Sequence, residues 1–116
     1  SGTIINIGST SGHRSFPDHA GYTGTKFAVA GITENVREDV ARDGVRVVTI
    51  SPGATRTEIM DHTTSAAIRS DYEDWKAEIG GVLDPDDVAR AVLFAYEQPP
   101  SVCVREIIIA PTRQER

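Results

Sequence analysis

The stretch Thr3-Ile4-Ile5-Asn6-Ile7-Gly8-Ser9-Thr10-Ser11-Gly12, followed after a polar connection by Tyr22-Thr23-Gly24-Thr25-Lys26, decides the fold. An apolar run ending in small hydroxyl residues has the pattern of a buried strand that delivers Ser9 to the carboxyl edge of a sheet, where open α/β folds place their ligands. Tyr22 and Lys26 are four apart. A helix beginning after Gly21 would therefore set the phenol and the ammonium on one face, one turn from each other. A phenol with an ordinary pKa of about 10 is a poor base at neutral pH. An opposite charge within hydrogen-bonding range favours the phenolate and moves such a group toward the working range of general acid–base catalysis.

A second apolar run, Val45 to Ile50, ends in Ser51-Pro52-Gly53-Ala54-Thr55-Arg56-Thr57. In order along the chain, Asn6-Ile7-Gly8-Ser9, the thirteen residues from Ser9 to Tyr22, Tyr-x-x-x-Lys and Ser-Pro-Gly-x-x-x-Thr together resemble the short-chain dehydrogenase/reductase family. The resemblance runs the whole length of the chain and covers the second half of a typical member, from its fifth strand onward. It implies an α/β fold, the C-terminal half of a doubly wound Rossmann fold with three parallel strands and flanking helices, as a single partial domain over residues 1–116. It also implies an oxidoreductase that interconverts a secondary alcohol and a carbonyl by hydride transfer with NAD(P), NADP being ranked ahead of NAD.

In that scheme Tyr22 exchanges the proton, Lys26 favours the phenolate and holds the nicotinamide ribose, and Ser9 hydrogen-bonds the substrate oxygen. Tyr22, Lys26, Pro52, Gly53, Thr55 and Thr57 become the cofactor contacts, with Thr55 toward the nicotinamide carboxamide and Thr57 toward the amide or pyrophosphate. The cofactor supplies the hydride. The family's Gly-rich phosphate turn, cofactor-selecting position, Asn-Asn-Ala-Gly element and further helix asparagine are not among these 116 residues.

Composition is compatible with this reading. At 116 residues the chain is one domain at most, able to bury about two-thirds of its unfolded surface. Hydrophobic residues at 39% and charged residues at 25% are ordinary for a globular protein and do not indicate disorder. A net charge of −5, with dispersed Lys and Arg, argues against a nucleic-acid surface. No run approaches the roughly 20 apolar residues of a membrane span. The lone Cys103 cannot form an internal disulfide, which points to a reducing, cytoplasmic compartment, and its side chain reads as a small buried apolar group. The first residues enter a strand directly, with no initiator Met, so the chain reads as a piece of something longer. The alternative to an oxidoreductase is then a non-catalytic half-domain, a proteolytic fragment or an assembly module without the phosphate-binding half.

From Tyr22 to Asp43 the pattern is helical, with Ala28, Ile32, Val36 and Val40 as the buried face, Glu34, Arg37, Glu38 and Asp39 opposite, and Gly44 as C-cap. Residues 58–82 are polar, with a weak helical signal from Ser70 to Ile79, and form a candidate substrate lid hinged at Gly80-Gly81. Asp84-Pro85-Asp86-Asp87 is a helix start, and Val88, Ala91, Val92 and Ala95 form the buried face of that helix. Val102 to Ala110 reads as a third strand and Pro111 to Arg116 as a polar tail. Asp-Pro-Asp-Asp-Val-Ala, the paired prolines, Arg105-Glu-Ile and Pro111-Thr112 resemble the subgroup acting on 3-hydroxy acids and similar small polar alcohols. His13 and His19 read as solvated loop histidines, with no metal site expected. Gly8-Ser9-Thr10-Ser11-Gly12 is not a hydrolase nucleophile elbow, because Thr10 holds its central position. Short right-handed crossovers predict three parallel strands in sequence order, the first at an edge with Ile4, Ile5 and Ile7 uncovered. The long helix, with Phe27, Val29 and Ile32, is expected to carry a homo-oligomer interface, dimer or tetramer.

Overall fold

A computed structural model describes residues 1–115. β1 (Gly2–Ile7), α1 (Ala20–Val40), β2 (Val45–Pro52), α2 (Ala66–Glu78), α3 (Pro85–Glu97) and β3 (Glu106–Ile109) follow in that order. The sheet order is β1-β2-β3, all parallel, with Gly2 opposite Val45 and Thr49 opposite Glu106. This is the α/β arrangement and strand order expected from the sequence. β2 is central and its residues Val47 to Ser51 are all buried. β1 is an edge, and Ile4 (45%) and Ile7 (47%) are exposed there.

Side chains alternate across a strand, and here the two sides of the sheet differ in chemistry. On one side Val48 and Ile50 pack with Ala91 and Ala95 of α3, flanked by Ile5, Val88, Val92, Val104, Ile107 and Ile109. The sequence reading of α3 holds in full: Asp84 and Asp87 form a reciprocal capping box and Pro85 opens the helix. Arg46, which the sequence does not single out, secures the far end of α3 by donating to the carbonyls of Tyr96, Gln98 and Val102 and to Thr3 Oγ1. A planar guanidinium has enough donors to satisfy several helix-end carbonyls at once.

On the other side, facing α1, buried Val47 is accompanied by the buried hydroxyls of Thr49, Ser51 and Thr33. Asn6 Nδ2 donates to Thr33 Oγ1 at 2.9 Å, and Thr33 Oγ1 donates to Val29 O at 2.7 Å. The buried position of α1 is Thr33, not Ile32, which is 60% exposed. Ala28 is exposed as well, whereas Val29, Ala30, Val36 and Val40 are half-buried. The four-residue spacing of Ala28, Ile32, Val36 and Val40 drifts across a helix of 3.6 residues per turn, so only the later half of that series reaches the sheet. Arg37, assigned to the solvent face, keeps 15% of its side chain exposed and pairs with Glu34 at 2.8 Å, whose carboxyl it holds below its ordinary value. The helix also begins two residues earlier than expected and tightens into a 3-10 turn, Ala41–Asp43, before Gly44 ends it at φ 70°.

Three further expectations change. β3 is four residues long, Glu106–Ile109, and upstream of it the Val102 carbonyl accepts from Arg46. The candidate lid contains a 13-residue helix, α2, where a weak signal from Ser70 was expected. Its N-cap is Ser65, and Gly80 and Gly81 close it, their N–H groups donating to Ala77 O and Lys76 O with φ of 79° and 108°. That is the Schellman arrangement, so the glycine pair is a helix cap in this structure. Cys103 is exposed rather than buried.

Candidate functional site

The site is built on the carboxyl ends of β1 and β2. Ser9 follows β1 in extended conformation and is 7% exposed, and its Oγ accepts the Ser11 N–H at 3.0 Å. It is thereby the cap of a single 3-10 turn, Thr10–Gly12. A serine hydroxyl that accepts one bond still has its proton to donate. The turn lies directly against α1: a Cβ on Gly12 would come within 2.9 Å of Lys26 O, so only glycine allows the approach.

On α1, Tyr22 is 39% exposed and Lys26 half-buried. Lys26 Nζ sits 5.5 Å from the centre of the Tyr22 ring, one turn away on the same face as the spacing requires. Among the described residues no carboxylate pairs with Lys26, and its ammonium lies over the Tyr22 ring. His19 is not merely solvated: its ring meets Tyr22 edge-on at 6.3 Å, and Nδ1 is bound to Pro17 O. Beside Tyr22, the buried Oγ1 of Thr23 has no hydrogen-bond partner among the described residues.

The second loop leaves β2 at Pro52. Its backbone is well satisfied: Gly53 N–H donates to Ile109 O at 2.7 Å, Arg56 N–H to Leu83 O at 2.8 Å, and Ala54 N–H to Gln114 Oε1 at 2.9 Å. Thr55 forms an isolated parallel bridge with Leu83, and its Oγ1 donates to Gly53 O. The space a side chain would occupy at Gly53 is filled by Gln114 and Ala110. The polar tail thus holds the loop through the half-buried Gln114. Arg56 reaches Asp84 at 3.2 Å, tying the loop to the cap of α3, and Thr57 is exposed beyond it.

α2 carries Tyr72 and Trp75, with ring centres 5.9 Å apart, and Lys76 Nζ lies 5.2 Å from the Tyr72 ring. Burial raises the Tyr72 phenol above its ordinary pKa, opposed by Lys76, and Tyr22 is among the groups whose charge it feels. A cavity of about 830 Å³ lies between this helix, the Phe16-Pro17 loop and the tail, lined in part by Trp75, Ile79, Arg113 and Gln114. Among the described residues there is no cluster of His, Cys, Asp or Glu able to hold a metal ion, and no helix is long and apolar enough to cross a membrane.

The fold thus brings Ser9, Tyr22 and Lys26 to one edge, with Pro52, Gly53 and Thr55 on the neighbouring strand end. Sequence reasoning missed Gln114, Glu106 and Tyr72, and read as merely solvated a histidine, His13, that contacts Glu106. Gln114 lies 60 residues from its partner Ala54, and His13 lies 93 from Glu106, separations that no local pattern reports. Tyr72 was within reach, since Tyr72, Trp75 and Ile79 fall on a helical stripe.

Comparison with known proteins gives the same family from three directions. The sequence profile of the family described as short chain dehydrogenase matches residues 1–67. An uncharacterized oxidoreductase of Staphylococcus saprophyticus is 40% identical over 116 residues, 98% of this chain and 46% of that protein. A glycine betaine reductase of Emericella nidulans is 36% identical over 95% of this chain but only 8% of its own length. Among solved structures, the closed form of a serine dehydrogenase complexed with NADP+ aligns with a TM-score of 0.79 at 32% identity, covering 98% of this chain and 46% of that one. The serine dehydrogenase of Escherichia coli aligns with a TM-score of 0.74 at 27% identity, covering 98% and 42%. The chain thus spans less than half the length of these relatives. With the profile matched over more than half of the chain and the three-stranded parallel frame shared with the solved structures, it belongs to the short chain dehydrogenase family.

Proposed function

We propose that the protein carrying this chain is an NAD(P)-dependent oxidoreductase that interconverts a secondary alcohol and a carbonyl, and that this stretch supplies its proton-transfer group. The observation that carries the reading is the Lys26 ammonium held 5.5 Å from the Tyr22 ring with no competing carboxylate among the described residues. Such a cation stabilises the phenolate that forms when Tyr22 gives up its proton to the carbonyl oxygen. Ser9 Oγ, already fixed by the Ser11 N–H, donates its own proton to the same oxygen and orients it.

The donor set fits a dinucleotide. The Lys26 ammonium, without a carboxylate partner among the described residues, suits ribose hydroxyls, and Thr55 and Thr57 lie where the β2 loop leaves the sheet. The Ala54 and Arg56 N–H groups are spent within the fold, so the loop offers side chains and carbonyls more than free amides. The bound nicotinamide supplies or takes up the hydride. NADP is the favoured form, supported by its presence in a solved relative, and a small polar alcohol of the 3-hydroxy acid type is the favoured substrate, supported by the serine dehydrogenase names of two relatives. Residues 58–82, with α2 and its aromatic face, serve as the substrate lid.

The test is made in the whole protein, by following nicotinamide absorbance with 3-hydroxy acids. Tyr22→Phe should lower turnover by about 10²–10⁴-fold while leaving cofactor affinity nearly unchanged, since only the proton-transfer group is lost. Lys26→Met should damage both. Undiminished turnover in Tyr22→Phe removes that residue from the mechanism.

We also infer a homo-oligomer through α1, where the large apolar side chains of Phe27 (47%) and Ile32 (60%) are exposed. Light scattering at micromolar concentration checks it. A monodisperse mass of 12.5 kDa for this chain, unchanged by Ile32→Glu, would contradict it.

A further inference from the structure

We propose that Glu106, at the start of β3, is a positioning residue that holds the Ser9 turn in register with the rest of the site. This rests on the reading of Ser9 as the donor to the substrate oxygen, but its test does not. One carboxylate oxygen, Glu106 Oε2, accepts from Ser51 Oγ at 3.1 Å and lies 2.8 Å from His13 Nε2. Ser51 sits on the central strand and is 1% exposed, so its hydroxyl is committed to that acceptor. His13 closes the turn: its backbone N–H donates to Thr10 O at 3.0 Å. A single oxygen thereby joins β3, β2 and the segment after Ser9.

The turn needs such an anchor. It is three residues of 3-10 helix held by short-range bonds, from Ser11 N–H to Ser9 Oγ and from Gly12 N–H to Ser9 O. Isolated turns of this kind are weak, and their hydrogen-bond geometry is poorer than that of an α-helix. On one flank Gly12 rests against the Lys26 backbone, a wall that cannot yield by a side-chain rotation. On the other, His13 is tied to Glu106. The neighbouring cation Arg14 donates to Glu115 O and does not compete for the carboxylate. Ser9 Oγ therefore takes its direction from a turn clamped between α1 and β3. A misplacement of about 1 Å at such a donor is enough to cost on the order of 10²-fold in rate.

The first experiment is native-state amide hydrogen exchange on this chain. Glu106→Ala should speed exchange at Ser11, Gly12 and His13 by about tenfold, the loss expected for hydrogen bonds to a charged group, while Ala91 and Ala95 in α3 keep their protection. Equal acceleration in the turn and in α3 would reduce Glu106 to general stability, and no change in the turn would remove it altogether; either result overturns the proposal. Should Glu106→Ala fail to fold, His13→Ala, an exposed position, cuts the same link from the other side and should give the same local pattern. In the whole protein, Glu106→Ala should lower turnover by about tenfold with the cofactor KM unchanged. A raised cofactor KM with normal turnover would count against it. The exchange result stands whether or not Tyr22→Phe abolishes turnover, so the two ideas fail separately.

Discussion

The two sides of the sheet solve different problems. Toward α3 the contacts are apolar: Val48, Ile50, Ala91 and Ala95 exclude water, and nothing in that cluster depends on a particular hydrogen-bond direction. Toward α1 the buried groups are Val47, Thr33, Thr49 and Ser51, and hydrogen bonds of 2.8–3.1 Å join Asn6 to Thr33 and, separately, Ser51 and His13 to Glu106. Hydrophobic burial is non-directional and roughly proportional to area, so it stabilises without specifying angles. Hydrogen bonds add less net stability each, but they fix orientation and are costly to leave unmade. The candidate site residues Ser9, Tyr22 and Lys26 all stand on the α1 side. The difference teaches that in this half-sheet stability and alignment are assigned to opposite faces.

The largest expected effect lies on the α3 side. Ile50 is 0% exposed in the middle of β2, and Ile50→Ala should cost about 2–5 kcal/mol through lost transfer energy and the cavity left behind. Urea unfolding of this chain measures it. A loss below about 1 kcal/mol would mean that the apolar face does not carry the stability assigned to it here.

A smaller effect, and a sharper one, is expected across the sheet. Thr33→Val keeps the shape of the side chain but leaves Asn6 Nδ2 without its acceptor, at a cost of about 1–3 kcal/mol. Asn6→Leu combined with Thr33→Val removes both partners and should recover most of that loss. A double variant as unstable as the sum of the singles would show that this contact is held by shape and not by hydrogen bonding, and the contrast between the faces would weaken.

The same contrast explains what the sequence disclosed. The α3 face was legible because apolar spacing, an N-cap and a proline all point one way: Val88, Ala91, Val92 and Ala95 were assigned correctly from periodicity. The motif residues Ser9, Tyr22 and Lys26 were legible because their spacing is local, within one strand exit and one helical turn. The α1 face was not, because its buried position is a threonine and its larger apolar residues, Phe27 and Ile32, point outward. Hydrophobicity alone then selects the wrong stripe. The supports of the site were hidden for another reason. Glu106 and Gln114 act on residues 93 and 60 positions away, and only the strand register and the path of the tail bring them there.

The smallest expected effect tests whether α2 belongs with the hydrogen-bonded side. The Tyr72 phenol is raised above a tyrosine's ordinary value chiefly by burial, with Lys76 opposing the shift and Tyr22 adding to it. A group whose folded-state pKa lies above its unfolded value binds its proton more tightly in the folded state. Its contribution to stability is therefore complete below the unfolded pKa of about 10 and is lost as pH rises from there through the folded pKa. If α2 packs against the Tyr22 side, the thermal midpoint should fall more steeply between about pH 9 and pH 11 in the native chain than in Tyr72→Phe. Every other side chain is shared by the two proteins, so the difference between the two curves isolates Tyr72. Parallel curves would show that Tyr72 is as solvated in the folded chain as in the unfolded one, and α2 would then be a helix hung beside the site without being docked on it.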